Sequence, residues 1–250
     1  MKTVLITGCS SGFGLDTARY FLDRDWRVVA TMRTPRPDLL PASDRLQVIA
    51  LDVTDADSIR AALAAAGPID VLVNNAGIGL LGALEGIPLT TVRDVFDTNT
   101  FGVMAMTQAV LPQFRQRRAG VVVNVTSSVT LVPLPLLSVY TASKAAVNAF
   151  TESLALELAP FGVRVGLVLP GRAPDTSFGA NARTRMDGAI PEAYAPLAQR
   201  VFEQWSQPGP VTQAHDVAEA VWRVATDPAS PMRIAAGADA VALSRPGAAA

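Results

Sequence analysis

The chain has 250 residues, half of them apolar and 17% charged, against about 25% charged in an ordinary soluble domain, which excludes disorder and implies a sizeable core or surface covered by assembly. A net charge of −1 gives no general attraction to nucleic acid or an anionic membrane, and no apolar run reaches the ~18 residues a bilayer span needs. One cysteine excludes an internal disulfide, and the short apolar start runs straight into a glycine motif rather than a signal peptide, so a reducing, cytoplasmic setting is expected.

The first predicted element is a strand over Thr3–Thr7. It feeds Thr7-Gly8-Cys9-Ser10-Ser11-Gly12-Phe13-Gly14, which opens a helix over Gly12–Asp23. Gly8, Gly12 and Gly14 permit a tight turn and close approach of backbone to a ligand, with the helix N-terminus facing a pyrophosphate. Between a strand and a helix, this is a dinucleotide-site motif with spacing G-x-x-x-G-x-G; Cys9 within it reads as a small filler. The second strand, Arg27–Thr31, leads to Met32-Arg33. An NAD site usually places an acid here for the ribose hydroxyls, whereas Arg33 can pair with a 2′-phosphate, so NADP(H) is expected over NAD(H).

A third strand, Leu46–Leu51, ends at Asp52, which can either accept from an adenine amine, with Val53 beside the ring, or cap a helix. That helix is expected over Asp55–Ala65, with Thr54 and Asp57 as its start signal. Strand Val71–Asn74 runs into Asn75-Ala76-Gly77, whose small residues let backbone approach a cofactor while an asparagine amide ties neighbouring strands. Helix Thr91–Arg117 is apolar except around Asn99, which marks a local distortion and can hold a water linked to Lys144. Arg115, Arg117 and Arg118 read as its solvated end.

Strand Gly120–Val125 places Ser127 at its carboxyl end, with Thr126 and Ser128 as rival hydroxyls. Helix Ser143–Ala159, strand Val163–Leu169 and helix Gln213–Ala225 complete the alternation. Strands apolar throughout suit parallel pairing covered on both faces, and the alternation predicts one doubly wound α/β domain of Rossmann type. Residues 172–210 break the pattern. Rich in Ala, Pro, Arg and Gly, with scattered Phe178, Met186, Tyr194 and Trp205, they read as a substrate lid at a strand's carboxyl end. Arg183 and Arg185 there can meet an anionic substrate or simply face solvent.

Tyr140 and Lys144 share one helical face, and Lys144 is one of two lysines in a chain that otherwise uses arginine. An ammonium ~4 Å from a phenol, at an effective dielectric of ~20, favours the phenolate by up to ~4 kcal/mol. That moves a tyrosine about two or three pH units toward neutrality and makes Tyr140 a workable acid for ketone reduction or base for alcohol oxidation. Ser127 can polarise the substrate carbonyl. With His215 the single histidine, neither a Ser-His-Asp triad nor a histidine metal cluster can be built; Trp26, Trp205 and Trp222 read as packing.

Thr7–Gly14, Asn74–Gly77, Asn99, Ser127 and Tyr140-x-x-x-Lys144 together resemble the full signature of the classical short-chain dehydrogenases/reductases. The resemblance spans roughly residues 2 to 170 and continues more loosely to the end. It implies a seven-stranded parallel sheet, hydride transfer on a nicotinamide, and Asn99, Ser127, Tyr140 and Lys144 as the catalytic tetrad. It also implies cofactor contacts at Ser10, Ser11, Phe13, Arg33, Asp52, Asn75, Tyr140 and Lys144. Family members commonly assemble as homodimers or homotetramers through the two long helices. Ala30-Thr31-Met32-Arg33 and Gly237-Ala238-Asp239-Ala240 look most like the NADPH-linked branch similar to 17β-hydroxysteroid dehydrogenases and carbonyl reductases. After Pro170-Gly171 the family has a threonine four residues past the glycine that binds the carboxamide. Asp175 stands there and Thr176 follows, so either the loop shifts by one residue or the contact is lost. The expected activity is reduction of a mainly apolar ketone or aldehyde with NADP(H); an NAD(H) dehydrogenase and a non-catalytic NADP(H)-binding regulator are the alternatives.

Overall fold

Apolar residues on both sides of the inner strands leave them little solvent face, so the sheet lies between two helical layers and only its edge strands stay partly exposed. In the computed structural model, which describes residues 1–245 apart from Thr184 and Asp187, the strands are β1 (Thr3–Ile6), β2 (Arg27–Met32), β3 (Leu46–Ala50), β4 (Val71–Asn74), β5 (Gly120–Val125), β6 (Val163–Pro170) and β7 (Arg233–Ala236). Among the described residues they form one parallel sheet in the order β3-β2-β1-β4-β5-β6-β7. This is the doubly wound sheet expected from the strand–helix alternation, with the seven strands that the family resemblance implies. The seventh strand is a four-residue edge segment too short to stand out in the sequence.

Alternation along each strand sends its side chains to two separate cores. Val4 and Ile6 pack with α1 (Gly12–Leu22) and α8 (Ala214–Thr226), through Phe21, Val217 and Val221. Leu5 points the other way, toward α2 (Ala56–Ala66), α4 (Gly102–Arg117) and α5 (Ser138–Leu158), through Ile59, Met106 and Leu154. Each such side chain contributes about 1.5–3 kcal/mol by leaving water. Arg164 of β6 donates to the carbonyls of Val224 (2.8 Å), Ala225 (3.0 Å) and Asp227 (3.2 Å), satisfying the C-terminal end of α8.

Three local expectations are corrected. The predicted helix 91–117 is two helices, α3 (Leu89–Phe96) and α4, joined by a π-turn at Asp97–Phe101; the distortion falls where Asn99 interrupts the apolar pattern. Its cause is visible: Asn99 Oδ1 accepts from Ile78 N (2.8 Å) and Nδ2 donates to Ile78 O (2.9 Å), pulling the wide turn onto the segment after β4. Helix α5 begins at Ser138 rather than Ser143, so Tyr140 lies in its first turn. The cap of α2 is Asp55, not Thr54: its carboxylate accepts from Asp57 N (2.8 Å) and Ser58 N (3.3 Å). Residues 172–210 carry two helices, α6 (Ser177–Arg183) and α7 (Ala195–Ser206), and α9 (Ala238–Leu243) follows β7.

Candidate active site

The strand order reverses beside β1, with β2 on one side and β4 on the other, so a crevice opens at their carboxyl ends. Gly8 (φ +75°) and Gly12 (φ +55°) sit in the left-handed region that a side chain resists. A Cβ on Gly8 would stand 2.8 Å from Ala76 Cα, and one on Gly14 would overlap the Gly8 carbonyl. The loop is thus shaped for close backbone approach and is locked to the Asn75-Ala76-Gly77 turn. Asn75 N and Ala76 N both donate to Thr7 Oγ1 (2.9 Å each), and Asn75 Nδ2 donates to Thr7 O (2.9 Å) and Gly8 O (3.2 Å). Asn74 ties β4 to β5 through Asn124 Oδ1 (2.8 Å). Ser10 is exposed, while Ser11 and Phe13 are half-buried at the start of α1. Cys9 is buried and desolvation pushes its thiol up to about 12, consistent with a filler.

Arg33 is exposed at the end of β2, close enough to Asp52 to help lower its carboxyl. The larger causes of that lowering are the N–H of Thr54 (2.9 Å) and its hydroxyl (2.7 Å), both donating to Asp52 Oδ1. Asp52 therefore closes a turn of its own and does not cap α2. Val53 is buried against the start of α4, where a Cβ on Gly102 would meet its Cγ2 at 2.8 Å.

The four chemical candidates come together. Ser127 Oγ accepts from Val129 N (3.3 Å), which directs its own proton elsewhere, and its hydroxyl hydrogen-bonds the Tyr140 phenol. Lys144 Nζ donates to Val125 O (3.1 Å) and lies 6.0 Å from the Tyr140 ring centroid. The position a Cβ would take on Gly77 is 3.2 Å from Asn99 Oδ1 and 3.3 Å from Lys144 Nζ, so this glycine keeps the space between them open. Thr126 and Ser128 are buried beside Ser127; neither is the phenol's partner.

One electrostatic expectation is reversed. Burial raises the Tyr140 phenol above its ordinary value, and the Ser127 hydrogen bond opposes that rise without cancelling it. Desolvation also lowers the Lys144 ammonium to about 8. A phenolate removed from water costs more than an ammonium at this remove returns, so Tyr140 keeps its proton at neutral pH.

Sequence reasoning missed three supports. Ser143, fully buried, donates to Tyr140 O (2.7 Å) and accepts from Asn99 Nδ2 (3.2 Å), joining the π-turn to α5; its place between Tyr140 and Lys144 was the available signal. Leu136 adopts φ +62°, a strained conformation for a branched side chain that nothing in the sequence marks. The third is a knot at the base of the lid. Gly171 N donates to Thr212 Oγ1 (2.8 Å), which donates to Asp239 Oδ1 (2.7 Å), and Arg172 N donates to Asp239 Oδ2 (2.6 Å). This fixes the turn after buried Pro170. Thr176 then lies against the glycine loop, its Cβ 3.4 Å from where a Gly12 Cβ would be.

Phe178 of α6 stacks on Tyr140 with ring centroids 5.7 Å apart and planes tilted by 57°. Leu81, Leu136, Leu137, Ala198 and Val201 form the buried apolar wall around Tyr140, with Met186 and Trp205 packed against it. Arg183 is exposed, and Arg185 donates to Asn181 O (2.7 Å). Trp26 and Trp222 pack in the core against α1, and His215 is exposed beside Tyr20.

No helix among the described residues is long and apolar enough to cross a membrane. The family model described as short chain dehydrogenase matches residues 2–187. An uncharacterized oxidoreductase, YusZ, of Bacillus subtilis is 36% identical over 241 residues, covering 90% of this chain and 85% of that one. Retinol dehydrogenase 8 of Homo sapiens is 36% identical over 255 residues, covering 93% and 80%. The closed form of a serine dehydrogenase complexed with NADP+ superposes with a TM-score of 0.80 at 30% identity, covering 95% of each chain. A glycine-shaped crevice that fits a nicotinamide dinucleotide, a buried Ser–Tyr–Lys cluster beside it and a match over most of the length converge: the chain belongs to the classical short-chain dehydrogenase/reductase family of oxidoreductases acting on CH–OH and C=O groups.

Proposed function

We propose that the protein is an NADP(H)-dependent carbonyl reductase converting a mainly apolar ketone or aldehyde to its alcohol. The observation that carries this reading is the gathering of three buried groups: the Ser127 hydroxyl beside the Tyr140 phenol, and Lys144 on the same helical face, its Nζ 6.0 Å from the Tyr140 ring centroid. Bound there, the nicotinamide supplies a hydride. Ser127 turns its proton from the phenol to the carbonyl oxygen, which it holds and polarises, and Tyr140 delivers a proton to that oxygen as negative charge develops. Burial keeps the phenol protonated at neutral pH, the form that reduction requires. Lys144 supplies positive charge and a donor for the cofactor ribose, and Asn99 holds the turn that keeps Gly77 clear beside it.

Gly8, Ser10, Ser11, Gly12, Phe13 and Gly14 would cradle the phosphates, Asp52 and Val53 the adenine, and Asn75, Ala76 and Gly77 the central sugar. Pro170, Gly171 and Thr176 would border the nicotinamide. The preference for NADP(H) rests on Arg33, exposed where an NAD site would carry an acid. Residues 172–210 serve as the substrate lid, and the apolar wall around Tyr140 supports an apolar substrate. Assembly as a homodimer or homotetramer through α4 and α5 is supported by Phe101 (57% exposed) at the head of α4 and Leu156 (79%) on α5, and is tested by sedimentation. A single cysteine, with no internal disulfide to form, suits a reducing cytoplasm.

The test is a panel of apolar ketones and aldehydes assayed with NADPH and with NADH at the nicotinamide absorbance. Turnover preferring NADPH supports the reading. A strong NADH preference defeats the role of Arg33, and binding without turnover of any carbonyl defeats the enzyme.

A further inference from the structure

Tyr140 and Lys144 are one helical turn apart on α5, and a third polar residue, Asn148, stands one turn further along the same face. Asn148 is only 5% exposed, deep for an amide that no part of the proposed chemistry uses. Its Nδ2 donates to Thr130 Oγ1 at 2.9 Å. A hydroxyl that accepts one hydrogen bond is steered in where it sends its own proton, and Thr130 sends its proton to the carbonyl of Ser127 (2.8 Å). Thr130 N reaches the same carbonyl at 3.3 Å. Ser127 is thus gripped at two points: at its carbonyl through Thr130, and at its Oγ by Val129 N.

We infer that Asn148 and Thr130 are positioning residues for the reaction: through Asn148 Nδ2, Thr130 Oγ1 and the Ser127 carbonyl, helix α5 fixes the orientation of Ser127 relative to the Tyr140 and Lys144 it also carries. This rests on the role of Ser127 proposed above. The physical need is plain. Ser127 follows the end of β5 and opens a single tight turn, Ser128–Thr130, while Tyr140 belongs to a long helix. Two groups that must share one substrate oxygen need a link between those elements, because a shift near 1 Å in such a pair costs about a hundredfold in rate. Apart from its contact with the phenol itself, the ties of Ser127 named here lie within its own turn, so Asn148 is a side chain that carries the position of that turn to the helix independently of the reacting groups. The Asn148 carbonyl oxygen is buried with no partner among the described residues, a cost consistent with a side chain kept for its donor end.

The test compares Thr130→Val, which keeps the shape and loses the hydroxyl, with Thr130→Ser, which restores it, and adds Asn148→Leu. Turnover, substrate KM and NADPH affinity are measured for each. One lost orienting hydrogen bond should lower kcat about fivefold to tenfold in Thr130→Val and Asn148→Leu, leave NADPH affinity within about twofold, and spare Thr130→Ser. Wild-type kcat in Thr130→Val, with Ser127→Ala inactive, would overturn the inference while leaving the proposed function standing. Equal loss of kcat and NADPH affinity, with Thr130→Ser no better than Thr130→Val, would reduce the pair to ordinary packing and also overturn it. Full activity of Ser127→Ala would instead strike the proposed role of Ser127 and take the inference with it.

Discussion

The floor of the site and the segment that covers it are held by different physics. On the floor, Asn99, Ser127, Tyr140, Lys144 and Asn75 are tied by buried or part-buried hydrogen bonds to main-chain groups or to one another. Removing one partner there strands another in a dry interior, at about 1–3 kcal/mol. The cover, residues 172–210, is tied at its base by Thr212 and Asp239, with Arg172 donating to Trp205 O. Beyond that, among the described residues, it is held mainly by apolar packing: Ala189, Ala198 and Val201 are buried and Phe178 lies against Tyr140, beside the hydrogen bond from Ala83 N to Ala189 O (2.9 Å) and the exposed Tyr194 hydroxyl donating to Glu85 (2.9 Å). An apolar contact leaves no unpaired polar group behind when it is lost, so a change in the cover should disturb the chemical groups beneath less than a change in the floor.

If that contrast holds, floor variants should cost far more than cover variants. The largest effect is expected from Gly14→Ala, whose Cβ has no room against the Gly8 carbonyl and Asn75 Nδ2. It should lose about 1–3 kcal/mol of stability in denaturant titration together with nucleotide binding. Arg33→Ala should raise the KM for NADPH about tenfold to hundredfold, the worth of charge-assisted bonds to a phosphate, and leave the KM for NADH unchanged.

Smaller and more diagnostic is a pH effect. Burial lowers Lys144 from 10.5 to about 8, so between those values the unfolded chain holds a proton that the folded chain has lost, and stability rises with pH. Cys9 and Tyr140, shifted upward from 9.0 and 10.0, act in the opposite sense once their unfolded forms ionise. A net gain of up to about 1 kcal/mol is therefore expected between about pH 8 and 9, while activity falls as the ammonium is lost. Thermal melts of Lys144→Met should lack that gain. Smallest of all, Phe178→Ala should raise the substrate KM severalfold and Tyr194→Phe should move stability by under about 0.5 kcal/mol. A cover variant that abolished turnover would break the comparison.

Much of the site was legible because its constraints are local. Gly8, Gly12 and Gly14 announce a backbone that tolerates no side chain. Tyr140 and Lys144 are brought together by helical spacing alone, and Asn99 betrays its π-turn by interrupting an apolar face. The rest depends on neighbours distant in the chain. No spacing rule joins Thr212 to Asp239, or Asn148 to Thr130, before the sheet order sets them side by side. The Tyr140 phenol is the sharpest case: its partner was readable, but the sign of its shift is set by burial, which only the packed wall of Leu81, Leu136 and Leu137 reveals.

The central claim is that the buried phenol of Tyr140 gives the proton. Turnover of an apolar ketone by Tyr140→Phe at saturating NADPH, with nucleotide binding followed in parallel by fluorescence, tests it most directly. Loss of a positioned acid should lower kcat by about 10²–10⁴-fold with nucleotide affinity intact. Wild-type turnover by that variant would contradict the account.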